Sequence, residues 1–424
     1  MKRIFIFHKV NVFRFILSNV FFCDIIFFMI AENMKSILES PTAGVIRKMF
    51  EEGSVLKQKF GEENVYDFSL GNPDLDPPEE VLNAIKEVSN DVSHNCHGYM
   101  QNSGYIEARR AMAEKTSIEQ NICVSEDFIV MSCGAAGALT CVLKSLLNPG
   151  DEVIVLCPYF SEYNYYVSNH GGKVVKVNTK DDFSIDLDNI KNSLTKKTSC
   201  IILNSPNNPT GKIYSKEELS LLSKILYDFE KESGRLPYII LDEPYRAIVY
   251  KNKEVPSVFP LYKNSIVVTS FAKNLSIPGE RLGYIAVNPS ANDSKLLVNA
   301  LALATRILGF VNAPAFFQKV ISKSWNAKCD YSLYEKRCNE IKSVMDYAGL
   351  KYAEPDGAFY LFVKVPDSWN DDDMAFTEHL KKFNILCAPG SGFSKKGWFR
   401  ISYCVSEKTI LNSKEAFYNA VHSK

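Results

Sequence analysis

Lys273 is the residue with the clearest chemical capability, because it follows an apolar run in the segment Ser-Phe-Ala-Lys. Small and apolar neighbours surround it, whereas an ordinary lysine lies on a solvated surface. Removal from water lowers the proton affinity of an amine and makes it a nucleophile. A free amine in a dry cleft is the group that forms a Schiff base with an aldehyde. The sequence therefore predicts a covalent attachment point at Lys273.

Two further apolar runs end in polar or turn-forming residues, where a parallel sheet presents groups to ligands. The run at 238–241 ends in Asp242, a carboxylate that needs a cation or a protonated partner, and Tyr245 follows three residues later. A helix-capping aspartate is the alternative. Another run leads into Asn-Ser-Pro-Asn-Asn-Pro-Thr-Gly, a rigid turn that projects Asn207 or Asn208. An ordinary turn is the alternative there.

A run of small residues follows the apolar segment at 128–131. It contains Gly134, Ala135 and Ala136 and leads into a helical pattern. Small residues let the backbone approach an anion, and a helix N-terminus supplies oriented N–H groups. The segment is not a P-loop, since no Gly-Lys-Ser/Thr follows. A phosphate site and tight strand–helix packing are both consistent with this composition.

These residues need a sheet to position them, and the apolar runs between residues 128 and 287 predict one. Continuous apolar runs with β-branched residues, most of them separated by helices, indicate a mostly parallel sheet covered on both faces. The fold class is therefore α/β, with a seven-stranded sheet between helices. The predicted strands are 128–131, 153–157, 173–177, 200–203, 238–241, 266–269 and 284–287.

The chain has 424 residues, which exceeds one typical domain, so two lobes are expected. We expect a large domain at 78–310 and a smaller α+β domain formed by 33–77 and 311–424, from both chain ends. Beyond the sheet, helices are predicted at 36–59 and between 301 and 347, and strands at 358–363 and 399–403.

Residues 1–32 are rich in Phe, Ile and Val, but charged residues interrupt them before a membrane-spanning length is reached. Asp24 splits a candidate signal-peptide core, and no small-residue cleavage site follows. We interpret the segment as an appendage outside the fold, without a role in the chemistry. No membrane association is predicted.

Composition excludes several classes of partner. Basic and acidic residues both number 49, which argues against nucleic-acid binding. Eleven cysteines lack any Cys-x-x-Cys pair, and Cys157 and Cys200 lie in apolar runs, as in reduced cytoplasmic proteins. His94 and His97 have no further ligands nearby in sequence, so no metal site is predicted. The acidic cluster at 371–373 is predicted to face water.

The motifs together resemble those of the class I/II aminotransferases, pyridoxal-phosphate enzymes of which aspartate aminotransferase is the familiar member. The resemblance extends from about residue 33 to the C-terminus, and the order of the motifs makes it specific. They are Tyr99 followed by Gly104, the loop at 134–139, Asn208-Pro-Thr-Gly, Asp242-x-x-Tyr245, Ser270-x-x-Lys273, Arg281 and Arg400.

The resemblance implies pyridoxal 5'-phosphate as cofactor and a role for each matching residue. Lys273 would bind the cofactor and move a proton between substrate and cofactor. Asp242 would keep the ring nitrogen protonated, so that the ring acts as an electron sink. Asn208 and Tyr245 would hydrogen-bond the ring hydroxyl, and Phe160 would stack on the ring.

The resemblance also implies an anion site and a carboxylate site. Arg400 would clamp the substrate carboxylate through two hydrogen bonds, with Asn208 beside it and Gly71 closing over it. A strand-edge surface arginine is the alternative for Arg400. The phosphate would be held by Gly134, Ala135, Ala136, Ser270, Arg281 and, across a homodimer interface, Tyr99.

The sequence departs from the family pattern at the phosphate and at the ring. Ala135, Ala136 and Ala272 stand where many members have hydroxyl residues. The phosphate would therefore depend on backbone N–H groups, Ser270 and Arg281. Phe160 takes the place of the more electron-rich tryptophan of some members.

The predicted function is amino-group transfer between an L-amino acid and a 2-oxo acid, in two successive half-reactions. A carbon–sulfur lyase or a decarboxylase of related architecture is the alternative, because Arg400 would orient the substrate in the same way. A cofactor-binding regulator would need a DNA-binding domain, which the neutral charge does not support. Aspartate, alanine and aromatic amino acids, with 2-oxoglutarate, all stay open as substrates.

Overall fold

The computed structural model describes residues 30–39 and 45–423. The chain divides into two units, residues 1–43 and 44–424. In the first unit, helix α1 spans Glu32–Glu39. Residues 1–29 of the appendage predicted at 1–32 lie outside the described residues. Within the described ranges, no helix has the length and apolar character needed to cross a bilayer.

The helices of the second unit cover most of the predicted helical stretches. In chain order they are α2 Val45–Phe60, α3 Glu79–Ser89, α4 Ile106–Gln120, α5 Gly134–Leu146, α6 Glu162–Ser168, α7 Leu187–Ser193, α8 Lys216–Ser233, α9 Ser294–Ile307, α10 Ala315–Ser324, α11 Ser332–Ala348, α12 Asp373–Lys381, α13 Glu407–Asn412 and α14 Lys414–His422.

The strands of the second unit begin shortly after α2. In chain order they are β1 Tyr66–Asp67, β2 Ile129–Ser132, β3 Glu152–Cys157, β4 Lys173–Asn178, β5 Thr198–Asn204, β6 Tyr238–Asp242, β7 Ser265–Ser270, β8 Gly283–Val287, β9 Tyr352–Ala353, β10 Tyr360–Lys364, β11 Ile385–Leu386, β12 Ala388–Pro389 and β13 Trp398–Ser402.

A central sheet in the described part of the chain has the order β2-β8-β7-β6-β5-β3-β4. β8 runs antiparallel to both neighbours, and the remaining neighbours pair in parallel. Alternate residues of each strand pack on opposite faces, as Ile239 and Ile240 do on β6. Helices cover both faces, which explains why the inner strands such as β6 are buried along most of their length, whereas the edge strand β4 keeps Lys173 and Lys176 exposed. The predicted α/β fold with a mostly parallel seven-stranded sheet is confirmed.

Both chain regions that flank the central sheet contribute to smaller sheets. β12, β13, β10 and β9 form an antiparallel sheet in that order, and β1 pairs in parallel with β11. The register of that pair places Tyr66 beside Ile385, so the chain before the central sheet joins the chain after it. The domain boundaries at 77 and 310 stay a prediction.

The prediction for the acidic cluster at 371–373 is wrong at Asp373, whose side chain is fully buried at the start of α12. Its carboxylate accepts hydrogen bonds from the Ser391 amide at 2.6 Å and from the Gly397 amide at 3.2 Å. Asp372 caps the helix by accepting from the Ala375 amide. The acidic run is therefore the start of a helix. Asp373 also fixes the 390–397 loop, because its carboxylate accepts hydrogen bonds from two backbone amides of that loop.

Candidate active site

A cavity of about 360 Å³ lies at the carboxyl ends of the central strands. Asn204, Asp242 and Ser270 are the last residues of β5, β6 and β7, and all three line it. Parallel strands end at one edge of a sheet, so side chains that are distant in sequence meet there.

Most of the predicted site residues line this cavity. Gly134 lies beside it against Arg281, whereas Tyr99 is 93% exposed and does not line it. The predicted residues found in the lining are Gly71, Ala135, Ala136, Phe160, Asn208, Asp242, Tyr245, Ser270, Lys273, Arg281 and Arg400.

Lys273 follows β7 and points into the cavity. Its Nζ donates a hydrogen bond to the carbonyl oxygen of Gly71 at 2.6 Å and lies 5.8 Å from the centre of the Phe359 ring. Burial, assisted by the positive charges of Arg400 and Arg281, lowers the pKa of Lys273 to about 8. The amine is therefore close to half neutral in mildly alkaline solution.

Asp242 ends β6 with its carboxylate buried. Tyr163 on α6 donates a hydrogen bond to Oδ2 at 2.5 Å, and the Asn204 side-chain amide donates to the Asp242 carbonyl at 2.8 Å. Burial raises the pKa of Asp242 to about 6, and the Tyr163 hydrogen bond opposes that rise. No described residue gives Oδ1 a hydrogen bond. A buried carboxylate oxygen of this kind is costly unless a donor meets it.

Arg400 lies on β13, between β12 and β10, and is 3% exposed, so the surface-arginine alternative is wrong. Its guanidinium contacts the rings of Tyr360 and Phe393, with its central carbon 4.6 and 4.9 Å from their centres. Nη1 donates to Asn208 Oδ1 at 3.0 Å, and Nη2 donates to the Ser69 carbonyl at 2.5 Å. Within the described ranges no carboxylate pairs with this cation, and Nε has no partner.

The two asparagines of the Asn-Pro turn have different places. Asn207 Oδ1 accepts from the amide and hydroxyl of Thr210, at 3.2 and 2.9 Å, and so holds the turn closed. Asn208 lines the cavity, and its amide donates to Asn204 Oδ1 at 2.7 Å. Asn208 is therefore the residue that the turn presents.

The start of α5 and the Arg281 side chain face each other across one end of the cavity. Gly134 has a φ of +69°, and a Cβ there would lie 3.1 Å from Arg281 Nη2. Gly283 on β8 lets α5 approach the sheet, because a Cβ on it would lie 2.7 Å from the Gly134 backbone carbon. With Ser270 buried alongside, this end combines helix N–H groups, a hydroxyl and a cation, which suits an anion.

The family model described as "Aminotransferase class I and II" matches residues 63–417. This match covers most of the chain. The chain belongs to the class I and II aminotransferases.

Individual relatives of this aminotransferase agree with the family match. A probable aspartate aminotransferase of Methanocaldococcus jannaschii is 32% identical over 82% of this chain and 92% of its own. A solved aminotransferase structure from Eubacterium rectale has a TM-score of 0.88 at 38% identity, covering 93% of this chain and 98% of that one. The Thermus thermophilus aspartate aminotransferase solved with maleate has a TM-score of 0.81 at 26% identity, covering 93% and 100%.

The aminotransferase uses pyridoxal phosphate, and the lyase alternative has no support in these matches. The residues present fit the cofactor. Asp242 Oδ1, which no described group hydrogen-bonds, suits a protonated ring nitrogen. Lys273 supplies an amine of lowered pKa, and the α5 end with Arg281 suits the phosphate.

Three residues that line the aminotransferase cavity, or that bond to its lining, are not singled out by the sequence. Tyr163 lies one helical turn after Phe160, and this spacing was the available signal for it. Tyr360 hydrogen-bonds Tyr245, with 2.7 Å between the hydroxyl oxygens, but no sequence pattern connects them. Asn204 is only the first residue of the predicted turn, although its side chain bonds both Asp242 and Asn208.

We expect the rate at which the apo-aminotransferase captures pyridoxal phosphate to rise with pH until about pH 8 to 9. Only the neutral Lys273 amine can react with the aldehyde, and its pKa is lowered to about 8. Below that pH the neutral fraction, and with it the rate, falls by about tenfold per pH unit. Stopped-flow absorbance between pH 6.5 and 9.5 measures this profile.

Pyridoxamine phosphate is the matched control, because it lacks the aldehyde and needs no neutral lysine to bind. The rate at which pyridoxamine phosphate binds should not fall tenfold per pH unit below pH 8. A pyridoxal phosphate profile that keeps rising toward pH 10.5 would contradict a buried, deprotonated Lys273.

Proposed function

We propose that this aminotransferase transfers the amino group of an L-amino acid to a 2-oxo acid in two half-reactions, with Lys273, Asp242 and Tyr245 as its catalytic residues. One observation carries the assignment. Lys273, the Asp242 carboxylate and the buried Arg400 guanidinium line one cavity, although the chain separates them widely. An amine, an acceptor for a ring proton and a clamp for a carboxylate are the three groups that the reaction needs.

Lys273 and Asp242 act on opposite parts of the reacting system. The cofactor supplies an aldehyde and a pyridinium ring that accepts electrons. With the cofactor bound, the Lys273 amine would hold its aldehyde carbon, and, when free, would take the proton from the substrate Cα. Asp242 would hold the proton on the ring nitrogen through Oδ1, while Tyr163 holds Oδ2 in place. Phe160 lines the cavity and would face the ring.

Arg400 binds the substrate carboxylate. Two aromatic rings next to the guanidinium restrict its plane, so two parallel N–H groups can meet the two carboxylate oxygens. Asn208 accepts a hydrogen bond from Arg400 through Oδ1, which leaves its side-chain NH2 group to donate to the ring hydroxyl together with Tyr245. Gly71 lies at the cavity wall and closes the carboxylate site.

The phosphate depends on backbone donors in this chain. Ala135 and Ala136 offer only their N–H groups in the first turn of α5, so Ser270 and Arg281 supply the side-chain donors. The macrodipole of α5 adds a favourable field at the same place. We propose that these groups hold the cofactor phosphate, with Tyr99 of a second subunit.

The proposed homodimer is supported by an exposed apolar face. Leu296, Leu303 and Ile307 lie on one side of α9 and are exposed. The loop that carries Tyr99 joins this face, since the Asn102 side chain donates to the Val311 carbonyl. In this proposed dimer, Tyr99 of one subunit approaches the α5 end of the other. Its side chain is exposed in a single chain and would there bind the cofactor phosphate. Sedimentation velocity tests this, and a monomer at micromolar concentration would contradict it.

We propose a cytoplasmic location on the basis of the cysteines. All those in the described ranges are free thiols, and many are buried. Reducing compartments favour this pattern. Fractionation of cells that express the protein from its own gene tests this proposal, and recovery outside the cytoplasm would contradict it.

Aspartate is the first donor to test, because the relatives reported above are named for it. Among the described residues that line the cavity, the cations are Lys273, Arg281 and Arg400. In the proposed complex Arg400 binds the α-carboxylate, Arg281 binds the phosphate and Lys273 is attached to the cofactor. None of these three cations is then left to bind a second carboxylate of the substrate. Alanine, phenylalanine and glutamate therefore belong in the same donor panel.

The panel is read by bleaching of the cofactor band in the half-reaction and by the 2-oxo acid formed. Arg400→Gln should raise KM for amino acids by about 100-fold, because two charge-assisted hydrogen bonds are lost. Alkylamines without a carboxylate should react equally slowly with the parent enzyme and the variant. Release of pyruvate and ammonia from cystathionine without amino transfer would instead favour a lyase.

A further inference from the structure

Tyr360 touches both halves of the proposed site at once. Its hydroxyl oxygen lies 2.7 Å from that of Tyr245, and its ring lies 4.6 Å from the Arg400 guanidinium. The whole side chain is buried, and it lines the cavity. No other described side chain hydrogen-bonds the Tyr360 hydroxyl.

We infer that Tyr360 is a positioning residue that directs the Tyr245 proton into the cavity and holds the Arg400 guanidinium in its plane. This inference rests on the proposed function, in which Tyr245 meets the ring hydroxyl and Arg400 meets the substrate carboxylate. It assigns two separable tasks to one side chain, one to the hydroxyl and one to the ring.

The hydroxyl task follows from counting protons. A tyrosine hydroxyl has a single hydrogen, so Tyr245 cannot donate both to Tyr360 and to an acceptor in the cavity. When an anionic ring oxygen takes the Tyr245 proton, Tyr360 must turn and donate to the Tyr245 oxygen. A hydroxyl that accepts one hydrogen bond becomes a stronger donor in the next. Tyr360 therefore strengthens the bond from Tyr245 to the ring oxygen.

The ring task follows from the stacking. The Arg400 guanidinium contacts the Tyr360 and Phe393 rings at similar distances, and loss of either ring would remove one of these two contacts. A cation over an aromatic face in a desolvated site is stabilised, and its plane is restricted. Phe393 is the second ring next to the guanidinium, has no hydroxyl and makes no ring contact with Tyr245.

Gly71 supports the same placement from the N-terminal side of the cavity. Its φ lies outside the left-handed region, so backbone conformation does not require glycine there. A Cβ on Gly71 would instead overlap the Tyr360 hydroxyl oxygen. Glycine is needed because Tyr360 occupies that space. Gly71→Ala should displace the hydroxyl without altering its chemistry.

Three variants separate the two tasks in the loaded enzyme. Two quantities are measured, the pKa of the absorbance change of the bound cofactor and KM for the amino donor. Tyr360→Phe keeps the ring and removes the hydroxyl, so Tyr245 donates more weakly to the ring oxygen. The absorbance pKa should rise by roughly half a unit, about threefold in proton affinity, with KM nearly unchanged.

Phe393→Leu is the matched control, since it loosens Arg400 and leaves the hydroxyl pair intact. It should raise KM by roughly fivefold and leave the absorbance pKa unchanged. Tyr360→Leu should change both quantities. Circular dichroism of the three variants checks that each is folded.

An unchanged absorbance pKa in folded Tyr360→Phe would overturn the inference, as would an equal pKa shift in Phe393→Leu. Neither result affects the proposed function, which is judged by the half-reaction of the parent enzyme. Failure of the parent enzyme to form the cofactor band would instead refute the proposed function before any variant is compared.

Discussion

Lys273→Ala enzyme is expected to lose turnover by at least about 10⁴-fold while staying folded. The variant lacks both the amine that attaches to the cofactor and the base that moves the substrate proton. The neighbouring Arg400 and Arg281 cannot replace it, because a guanidinium only donates hydrogen bonds and has no site that accepts a proton. Steady-state 2-oxo acid formation measures the loss.

Borohydride reduction followed by peptide mapping provides a second measurement of the same prediction. In the parent enzyme the cofactor should be fixed on the peptide that contains Lys273. In Lys273→Ala protein it should wash out. Lys408→Ala is the control, because Lys408 is exposed on α13 and does not line the cavity. Full activity in Lys273→Ala protein would end the assignment of this lysine.

Asp242→Ala is expected to reduce turnover by several orders of magnitude. Without the Asp242 carboxylate no acceptor holds the proton on the ring nitrogen, and an unprotonated ring accepts electrons poorly. Loss of the Tyr163 partner also leaves a buried hydroxyl without its acceptor. Single-turnover kinetics with a fixed amino donor measure the effect, and Asp242→Asn separates the charge from the side-chain volume. A variant with near-normal rates would show that Asp242 does not hold the ring proton.

The same carboxylate should cost the apoenzyme stability, with a predictable dependence on pH. Burial raises the pKa of Asp242 from its ordinary value of 3.8 to about 6, so the folded chain binds this proton more tightly than the unfolded chain. The cost is absent below pH 3.8, grows as the pH rises and is complete above pH 6. Asp242→Asn apoenzyme should therefore be stabilised by up to about 3 kcal/mol at pH 8, and by less at pH 5.

Thermal unfolding of cofactor-free protein at the two pH values tests that difference. A variant that is stabilised without cofactor and inactive with it would show that function, not folding, requires the charge. If Asp242→Asn destabilised the apoenzyme equally at both pH values, the carboxylate would be a structural anchor.

The central sheet could be predicted from the sequence because most of its strands, β4 at the edge excepted, are buried on both faces. A run such as 238–241 has no polar position to confuse with a helix or a loop, and all seven predicted runs coincide with strands. The direction of β8 could not be predicted. Whether a buried strand runs parallel or antiparallel depends on the path of the connection before it, and apolar composition does not record that path.

The residues at the strand ends could be predicted because their position in the sheet limits what they can touch. Lys273 and Asp242 each follow an apolar run, and both line the cavity. Tyr360 could not be found in this way, since it becomes relevant only when β10 brings it to Tyr245, 115 residues away in sequence. The prediction that Asp373 faces water is wrong for a similar reason. The backbone amides that its carboxylate binds lie about 20 residues later in the chain, and the sequence around Asp373 does not indicate them.

The Arg400 contact with the Ser69 carbonyl joins residues 331 positions apart, and β1 can pair with β11 only when nearly the whole chain is present. Such contacts between distant parts of the chain form slowly and late in folding. A chain still emerging from the ribosome has Lys273 long before it has Arg400. The residues proposed to hold the cofactor end at Arg281, whereas the proposed substrate carboxylate site needs Arg400 and its contact with Ser69. The substrate half of the cavity is therefore completed last, after every residue of the cofactor half has been synthesised.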